Sequence, residues 1–185
     1  MASLPRTNTV SYEEWLTLPE VSEGIEEVVN GEIRIMPPAE WTHTQVVERL
    51  NDAIRALRDP QRVLVITANF GLIIRERPLT SRVPDLAVFE KSTIIEKDGY
   101  VHSAPQLAVE VLSPANSRKE REEKLQDYAE LGVPEVWVVA PEGRTVEVLY
   151  LEDGRLRRSA ILAEGTLTPR HFPEVHIEIS GIWPD

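Results

Sequence analysis

The sequence contains no cysteine, and this absence limits both its covalent chemistry and its choice of metal. Without thiols the chain forms neither a disulfide nor a thiolate metal site. Its four histidines are scattered, which argues against a zinc centre built from imidazoles. A metal site in this chain would therefore be made of oxygen ligands, which suit Mg²⁺ or Mn²⁺.

Long apolar runs and a secretion signal are also missing. No run approaches the ~18 apolar residues of a membrane helix, and the N-terminal stretch MASLPRTNTV lacks the basic end and apolar core of a signal peptide. Together with the lack of cysteine, these features predict a cytoplasmic protein without a membrane partner. The 185 residues suit one domain, 1–185, with a sizeable core.

Positive charge is in short supply, because the formal net charge is −11 at pH 7. This balance argues against loose, non-specific binding of nucleic acid, which depends on basic surface. It allows a local basic groove, and it also fits clustered acidic groups that bind a cation.

Capping and turn signals predict where the helices and the first hairpin begin. The pairs Ser11/Glu14, Thr42/Gln45 and Ser117/Glu120 have the form of capping boxes, each of which predicts the start of a helix. Asn30-Gly31 is a strong signal for a tight turn, so EEVVNGEIRIMP is expected to form a β-hairpin.

Apolar segments predict the remaining strands and the fold class. Strands are expected twice within 62–76, then at 84–90, 106–112 and 135–140, with a helix between the last two. A strand, a helix and a strand in this compact form predict a βαβ unit with parallel strands. The expected architecture is mixed α/β: one sheet with helices packed on it and extra hairpins at its edges.

Two carboxylates interrupt this apolar pattern. Asp85 precedes the run LAVF, and Glu110 lies between valines in QLAVEVLSP. If the two strands are neighbours, these side chains lie close together and cannot both stay ionised without compensation. A divalent cation would supply it, with the carbonyl of Val111 as a third oxygen ligand. The plainer interpretation is that Asp85 starts a strand and that Glu110 faces solvent.

At these residues the chain resembles the Uma-type restriction endonuclease family of bacteria, within the PD-(D/E)XK nuclease superfamily. The resemblance implies a restriction-endonuclease-like core, a central mixed sheet flanked by helices, with Mg²⁺-dependent cleavage of phosphodiester bonds as its ancestral chemistry. It covers nearly the whole chain and rests on EEVVNGEI (26–33), THTQVVERL (42–50), VPDLAVFE (83–90), APQLAVEVLSPANS (104–117), EKLQDYAELGVPEVWVVAP (123–141) and LTPRHFPEVHIEISGIW (167–183).

The resemblance also implies roles for individual residues. Asp85 and Glu110 become metal ligands, and Glu27 matches a further acidic position that could be another ligand. A two-residue turn places Glu26 rather than Glu27 on the face of Val28, so either glutamate is a candidate, and an exposed hairpin charge is the alternative for both.

The superfamily motif places a lysine two residues after its second acidic residue, and this chain has Leu112 there. Lys124, on the following helix, matches the position of a substitute lysine that would orient the attacking water or balance charge on the phosphate. The alternative is a surface pair between Glu120 and Lys124, worth only about 0.3–0.5 kcal/mol.

Two accessory residues and a set of basic residues complete the prediction. His43, in the first turn of its helix, is expected to be a neutral hydrogen-bonding group or else to face solvent. Tyr128 is expected to pack its helix onto the sheet with its hydroxyl near the site. Candidate phosphate contacts are Arg75, Arg77, Arg82, Arg118, Lys119 and Arg121.

The leading hypothesis is a metal-dependent endonuclease, a hydrolase with Mg²⁺ or Mn²⁺ as cofactor that acts on DNA. A homodimer is expected, because cutting both strands of a duplex suits two-fold symmetry. The alternative is a nuclease-like fold that no longer cuts and serves as a binding or assembly module. An unrelated α/β domain is a third option if the two carboxylates face away from each other.

Overall fold

The structure, a computed structural model, describes residues 9–19, 24–67, 70–114 and 117–184. Within these residues lie three α-helices and fourteen β-strands. The helices are α1 (Tyr12–Trp15), α2 (Trp41–Leu57) and α3 (Arg118–Leu131). The strands are β1 (Ile25–Val29), β2 (Glu32–Met36), β3 (Val63–Thr67), β4 (Leu72–Glu76), β5 (Leu79–Arg82), β6 (Leu86–Glu90), β7 (Glu96–Lys97), β8 (Tyr100–Val101), β9 (Leu107–Val111), β10 (Glu135–Ala140), β11 (Thr145–Glu152), β12 (Arg155–Leu162), β13 (Thr166–Leu167) and β14 (Ile177–Glu178). None of these helices is long and apolar enough to span a membrane.

A six-stranded mixed sheet with the order β12-β11-β10-β9-β6-β3 forms the centre of the fold. Strands β9 and β10 are parallel and are joined by α3, which confirms the predicted βαβ unit. The other neighbouring pairs in this sheet are antiparallel. We refer to it as the central sheet.

The hairpins do not remain separate additions at the edges of the central sheet. They join into a second six-stranded sheet, with the order β2-β1-β5-β4-β8-β7. The two strands predicted within 62–76 are both present, but β3 pairs with β6 in the central sheet while β4 pairs with β5 and β8 in the second one. Consecutive strands β3 and β4 therefore belong to different sheets, and residues 68 and 69 between them lie outside the described part of the chain.

The two faces of the central sheet are covered by different helices. On one face, Val46, Leu50 and Ile54 of α2 pack in a cluster with inward-facing residues of β3, β6 and β9. On the other face, Tyr128 of α3 packs with Phe89 and with residues of the second sheet. The periodicity of α2 produces its buried stripe, because residues three and four apart lie on one side of a helix.

Local sequence signals account for the start of two helices and for the first hairpin turn. The capping boxes of Ser11 and Ser117 are formed, and the turn at Asn30-Gly31 has the positive φ angles of 52° and 82° that a tight hairpin requires. The prediction of a capping box at Thr42 is wrong. Helix α2 begins at Trp41, and its N-cap residue Glu40, two residues before Thr42, makes no side-chain capping bond.

Candidate active site

Asp85 and Glu110 lie next to each other where β6 begins and β9 ends. Leu86 pairs with Val109 in the antiparallel register of β6 and β9, so the following position sets Asp85 opposite Glu110. Asp85 Oδ2 also accepts a hydrogen bond of 2.7 Å from the backbone N–H of Val111. The predicted convergence of these two carboxylates is confirmed, since their strands are neighbours in the central sheet.

Lys124 reaches this pair of carboxylates from α3. Its Nζ lies 2.8 Å from Glu110 Oε2 and 3.1 Å from Glu27 Oε1, and it donates a 2.9 Å hydrogen bond to the carbonyl of Val83. The alternative surface pair with Glu120 is not formed, because that carboxylate caps Ser117 instead. Helix α3 thus delivers an ammonium group to the side of Glu110.

The hairpin of β1 and β2 contributes Glu27 and not Glu26. Glu26 shares a face with Val28, as the alternation of a strand predicts, but this face packs against Trp15, whose Nε1 donates to Glu26 at 2.6 Å. Glu27 points to the opposite face, is only 4% exposed and lies beside Lys124. Burial acts to raise the pKa of Glu27, but the nearby Lys124 and Arg82 charges outweigh burial and lower it.

Arg82 is buried, so the prediction that it contacts phosphate is wrong. The residue is 3% exposed, and its guanidinium donates to Glu27 Oε2 at 2.8 Å and to Asp127 Oδ2 at 2.7 Å. Asp127 was absent from the sequence prediction, although it follows Lys124 by one helical turn and therefore shares its face of α3.

His43 approaches Asp85 from α2, with its Nε2 3.2 Å from Asp85 Oδ2. Burial acts to lower the pKa of His43, but the hydrogen bond to Asp85 and the charges of Asp85 and Glu110 outweigh it and raise the pKa. The hydrogen-bonding role expected of His43 is thus present and the solvent-facing alternative is not, while its pKa shifts upward because the carboxylates act more strongly than burial. The other ring nitrogen, Nδ1, is buried without a hydrogen-bond partner among the described residues.

Tyr128 packs α3 onto the central sheet and donates a short hydrogen bond from its hydroxyl to Glu110 Oε1. The ring is fully buried, and burial together with the charges of Glu110 and Glu27 raises the pKa of the phenol well above its ordinary value. The hydroxyl therefore stays protonated at any physiological pH and acts as a fixed donor to Glu110.

The three carboxylates of Asp85, Glu110 and Glu27 outnumber the Lys124 ammonium that they surround, and the pKa values of the site reflect this excess of negative charge. Burial raises the pKa of Glu110 to about 7; the Lys124 ammonium opposes this shift, and the Asp85 charge adds to it. Burial acts to lower the pKa of Lys124, but the three surrounding carboxylates outweigh it and raise the pKa. The lysine is therefore permanently charged, whereas Glu110 is poised to take up a proton near neutral pH.

Donor type and charge both fit a divalent cation. Asp85 and Glu110 offer hard oxygen ligands side by side, and the carbonyl of Val111, the residue after Glu110 in β9, is the predicted third ligand. No cluster of three or more His, Cys, Asp or Glu side chains suited to a metal occurs among the described residues, so the backbone has to supply the third ligand. Mg²⁺ or Mn²⁺ would lower the repulsion between the two carboxylates.

A pocket of about 70 Å³ opens beside Glu110 and Lys124. Arg34 and Arg121 line it, and their side chains are 35% and 30% exposed. Arg34 was missed, although it lies opposite Glu27 in the register of the β1–β2 hairpin and so shares its face. The remaining lining residues are Glu27, Met36, Arg82, Val111, Leu112, Glu120, Leu125 and Val138.

The other predicted phosphate contacts are all engaged with carboxylates. Ion pairs join Arg75 to Glu130 and Asp127, Arg77 to Glu13, Arg118 to Glu122, Lys119 to Glu123, and Arg121 to Glu147. Arg75 also donates to the side chain of Asn30, and it does not line the pocket. Arg121 alone of these five lines the pocket beside the site, so Arg75, Arg77, Arg118 and Lys119 are removed from the set of candidate phosphate contacts.

Comparisons with known proteins bear on the family and the fold. The sequence model of the Uma2 family, whose description is "Putative restriction endonuclease", matches residues 12–180 of this chain. Among solved structures, the fold is similar to that of a "putative nuclease belonging to DUF820" from Anabaena variabilis, with a TM-score of 0.77. The identity is 22%, over 94% of this chain and 97% of that chain, so this likeness shows the fold alone. No curated protein matched the sequence.

Proposed function

We propose that this chain, which belongs to the Uma2 family of restriction-endonuclease-like proteins, is a metal-dependent endonuclease that hydrolyses phosphodiester bonds in DNA. The observation that carries the proposal is the pairing of Asp85 with Glu110 across β6 and β9, with the Lys124 ammonium 2.8 Å from Glu110. This set combines oxygen ligands for a cation with a fixed positive charge. Hydrolysis of a phosphodiester needs both, to stabilise the negative charge of the transition state.

Asp85, Glu110 and the Val111 carbonyl are the proposed ligands of Mg²⁺ or Mn²⁺. When bound, the ion supplies positive charge to the phosphate and lowers the pKa of water. His43 holds the carboxylate of Asp85 through Nε2, and Tyr128 holds that of Glu110 through its hydroxyl. Each ligand thus has a neighbour that fixes its orientation, as is usual around metal sites.

Glu27 is better suited to holding Lys124 than to binding the metal. Its Oε2 accepts from Arg82, and its Oε1 accepts from the backbone N–H of Val83 and contacts Lys124. Because two cations, Arg82 and Lys124, and the backbone N–H of Val83 already satisfy this carboxylate, we assign Glu27 to keeping the ammonium beside Glu110.

Lys124 is proposed to orient the attacking water or to balance charge on the phosphate. Its three N–H donors face three protein acceptors: Glu110, Glu27 and the Val83 carbonyl. To contact substrate it has to exchange one of them, and the contact with Glu27, at 3.1 Å, is the longest of the three.

Arg34 and Arg121, on the pocket wall, are the proposed phosphate contacts next to the site. Arg34 pairs with Glu123 at 3.3 Å and Arg121 with Glu147 at 3.6 Å, so each would exchange a carboxylate for a phosphate when substrate binds. Cleavage of both strands of a duplex would suit a homodimer with two-fold symmetry.

The decisive experiment is incubation of the protein with supercoiled plasmid, linear duplex and single-stranded DNA, with Mg²⁺ or Mn²⁺ or with EDTA. We expect metal-dependent cleavage by the wild type and none by Asp85→Ala. The matched control is Asp52→Ala, an exposed aspartate on α2, which should cut like the wild type. Cleavage that survives in Asp85→Ala would overturn the proposal.

One observation favours the rival function, a binding module without catalysis. The Lys124 ammonium is already satisfied by protein acceptors, as expected of a lysine whose role is structural. Retention of DNA on a filter by the wild type and by Asp85→Ala alike, with no cleavage under any metal condition, would select this function.

A further inference from the structure

We propose that Arg82 is a positioning residue for this site, which joins Glu27 to Asp127 and thereby fixes both the Lys124 ammonium and the segment that carries Asp85. Its effect on cleavage rests on the nuclease function proposed above, but its effect on Lys124 can be measured without any cleavage.

The guanidinium of Arg82 is a buried contact between the second sheet and α3. Arg82 ends β5, and its side chain is 4% exposed. Nη1 donates to Glu27 Oε2 of β1 at 2.8 Å, while Nε donates to Asp127 Oδ2 of α3 at 2.7 Å. A planar guanidinium can hold two carboxylates at a fixed spacing and angle, which a lysine cannot do.

The carboxylate that Arg82 holds in the second sheet clamps the chain just before Asp85. Glu27 Oε1 accepts the backbone N–H of Val83 at 3.1 Å, and the carbonyl of the same residue accepts from Lys124 at 2.9 Å. The peptide groups on both sides of Val83 are therefore fixed by side chains from β1 and α3. Pro84, with its restricted φ angle, then leads directly to Asp85.

The carboxylate that Arg82 holds on α3 lies one turn from the lysine. Asp127 and Lys124 share a face of the helix, so the bond from Arg82 to Asp127 sets the rotation of α3 that aims the ammonium at Glu110. The bonding partners of Arg82 are thus Glu27 and Asp127 rather than the proposed ligands Asp85 and Glu110, and it acts on the site through these two carboxylates.

The plainer interpretation is a buried ion network that only stabilises the fold. Such networks are often no more stabilising than apolar side chains of similar volume, so stability alone does not account for a buried arginine here. The positioning role makes a sharper prediction, because a shift of about 1 Å at a catalytic group costs on the order of 100-fold in rate.

The test compares Arg82→Met with Arg75→Met, in variants shown to be folded by circular dichroism and urea unfolding. Arg75 is a matched control: it also contacts Asp127, at 3.5 Å, but has no contact with Glu27. We expect Arg82→Met to lower kcat by about 10- to 100-fold with KM little changed. Arg75→Met should leave both within about twofold of wild type.

The second readout is the ammonium NMR signal of Lys124 in protein labelled with ¹⁵N-lysine. The chain has four lysines, and Lys124 is the shielded one, with 19% of its side chain exposed against 50% for Lys97 and 85% for Lys119. We expect a slowly exchanging signal in the wild type and in Arg75→Met, and its loss or shift in Arg82→Met.

The outcomes separate the two proposals. A wild-type ammonium signal and wild-type kcat in folded Arg82→Met would overturn the positioning role. If the wild type cuts no DNA but the ammonium signal depends on Arg82, the nuclease function fails and the positioning of Lys124 stands.

Should the methionine variant not fold, Arg82→Lys takes its place in the kinetic assay. The lysine retains the positive charge but lacks the planar guanidinium that holds two carboxylates, so the same loss of kcat is expected. An unchanged kcat would overturn the positioning role of Arg82.

Discussion

Lys124 Nζ lies 2.8 Å from Glu110 Oε2, although the two residues belong to a helix and to the strand before it. The position where the superfamily motif would place this lysine, two residues after Glu110, is Leu112, which packs against the apolar cluster beneath α3. The long lysine stem spans the gap, because a buried (CH₂)₄ chain can run along apolar surface and deliver its charge at the end.

Removal of this ammonium is expected to abolish most of the proposed DNA cleavage. Lys124→Met should lower the initial rate of plasmid nicking by about 10²- to 10³-fold, the usual cost of losing one positioned donor at a transition state. Lys119→Met is the matched control, since Lys119 lies on the same helix with its side chain 85% exposed. Equal rates for the two variants would contradict the assignment of Lys124.

The pKa of Glu110 predicts how stability depends on pH. Its folded-state pKa of about 7 lies above the ordinary value of 4.5, so between these pH values the folded protein retains a proton that the unfolded chain has released. The free energy of unfolding should therefore fall as pH rises through this range, by roughly 3 kcal/mol in all. The raised pKa of His43 adds a loss of the same sign above pH 6.5.

Urea unfolding of the wild type and of Glu110→Gln, in metal-free buffer from about pH 5 to pH 8, measures this effect. The glutamine variant should lack most of the fall, because it cannot exchange a proton at that position. Parallel curves for the two proteins would show that Glu110 titrates near its ordinary pKa.

Divalent cations are expected to stabilise the folded protein. Mg²⁺ or Mn²⁺ at about 100 times its Kd should add about 2.7 kcal/mol to the free energy of unfolding. Asp85→Asn should lose this protection and Asp52→Asn should keep it. Since protons compete with the ion for Glu110, the protection should be larger at pH 8 than at pH 5.5. Thermal unfolding scans with and without the ion at both pH values measure it, and equal or greater protection at pH 5.5 would contradict the prediction.

Tyr128→Phe is expected to change the pH dependence of cleavage more than its maximum rate. The hydroxyl lowers the pKa of Glu110 by donating to it, so its loss should raise that pKa and move the acidic limb of the pH–rate profile to higher pH. The ring is retained, so the cost in stability should be about 1 kcal/mol. Tyr150→Phe, away from the site, should leave the profile unchanged.

Elements with local signals could be predicted from sequence. The hairpin at Asn30-Gly31 and the helix capped by Ser117 depend on contacts within a few residues, and both are present where expected. The convergence of Asp85 and Glu110 was also predictable, since strand alternation and the neighbouring apolar residues place both on the α3 face of the central sheet.

Features that depend on long-range pairing could not be predicted in the same way. Strands β3 and β4 are consecutive in sequence yet belong to different sheets, and no local pattern specifies which partner each one takes. Alternation correctly separated Glu26 from Glu27 but could not tell which face of β1 meets the site. The burial of Arg82 follows from the meeting of β1, β5 and α3, and its sequence context resembles that of a surface arginine.

The hydrogen bonds that hold the N–H and the carbonyl of Val83 fix the number of residues between β5 and Asp85. One residue inserted between Arg82 and Asp85 would displace the aspartate by about 3.3 Å along the strand, and no neighbouring loop could absorb the difference. The turn at Asp98-Gly99 is open by comparison, since a side chain at Gly99 would meet nothing within 4 Å. Natural or engineered changes in length should therefore collect at the tip of the β7–β8 hairpin and be excluded from the short connection that leads into β6.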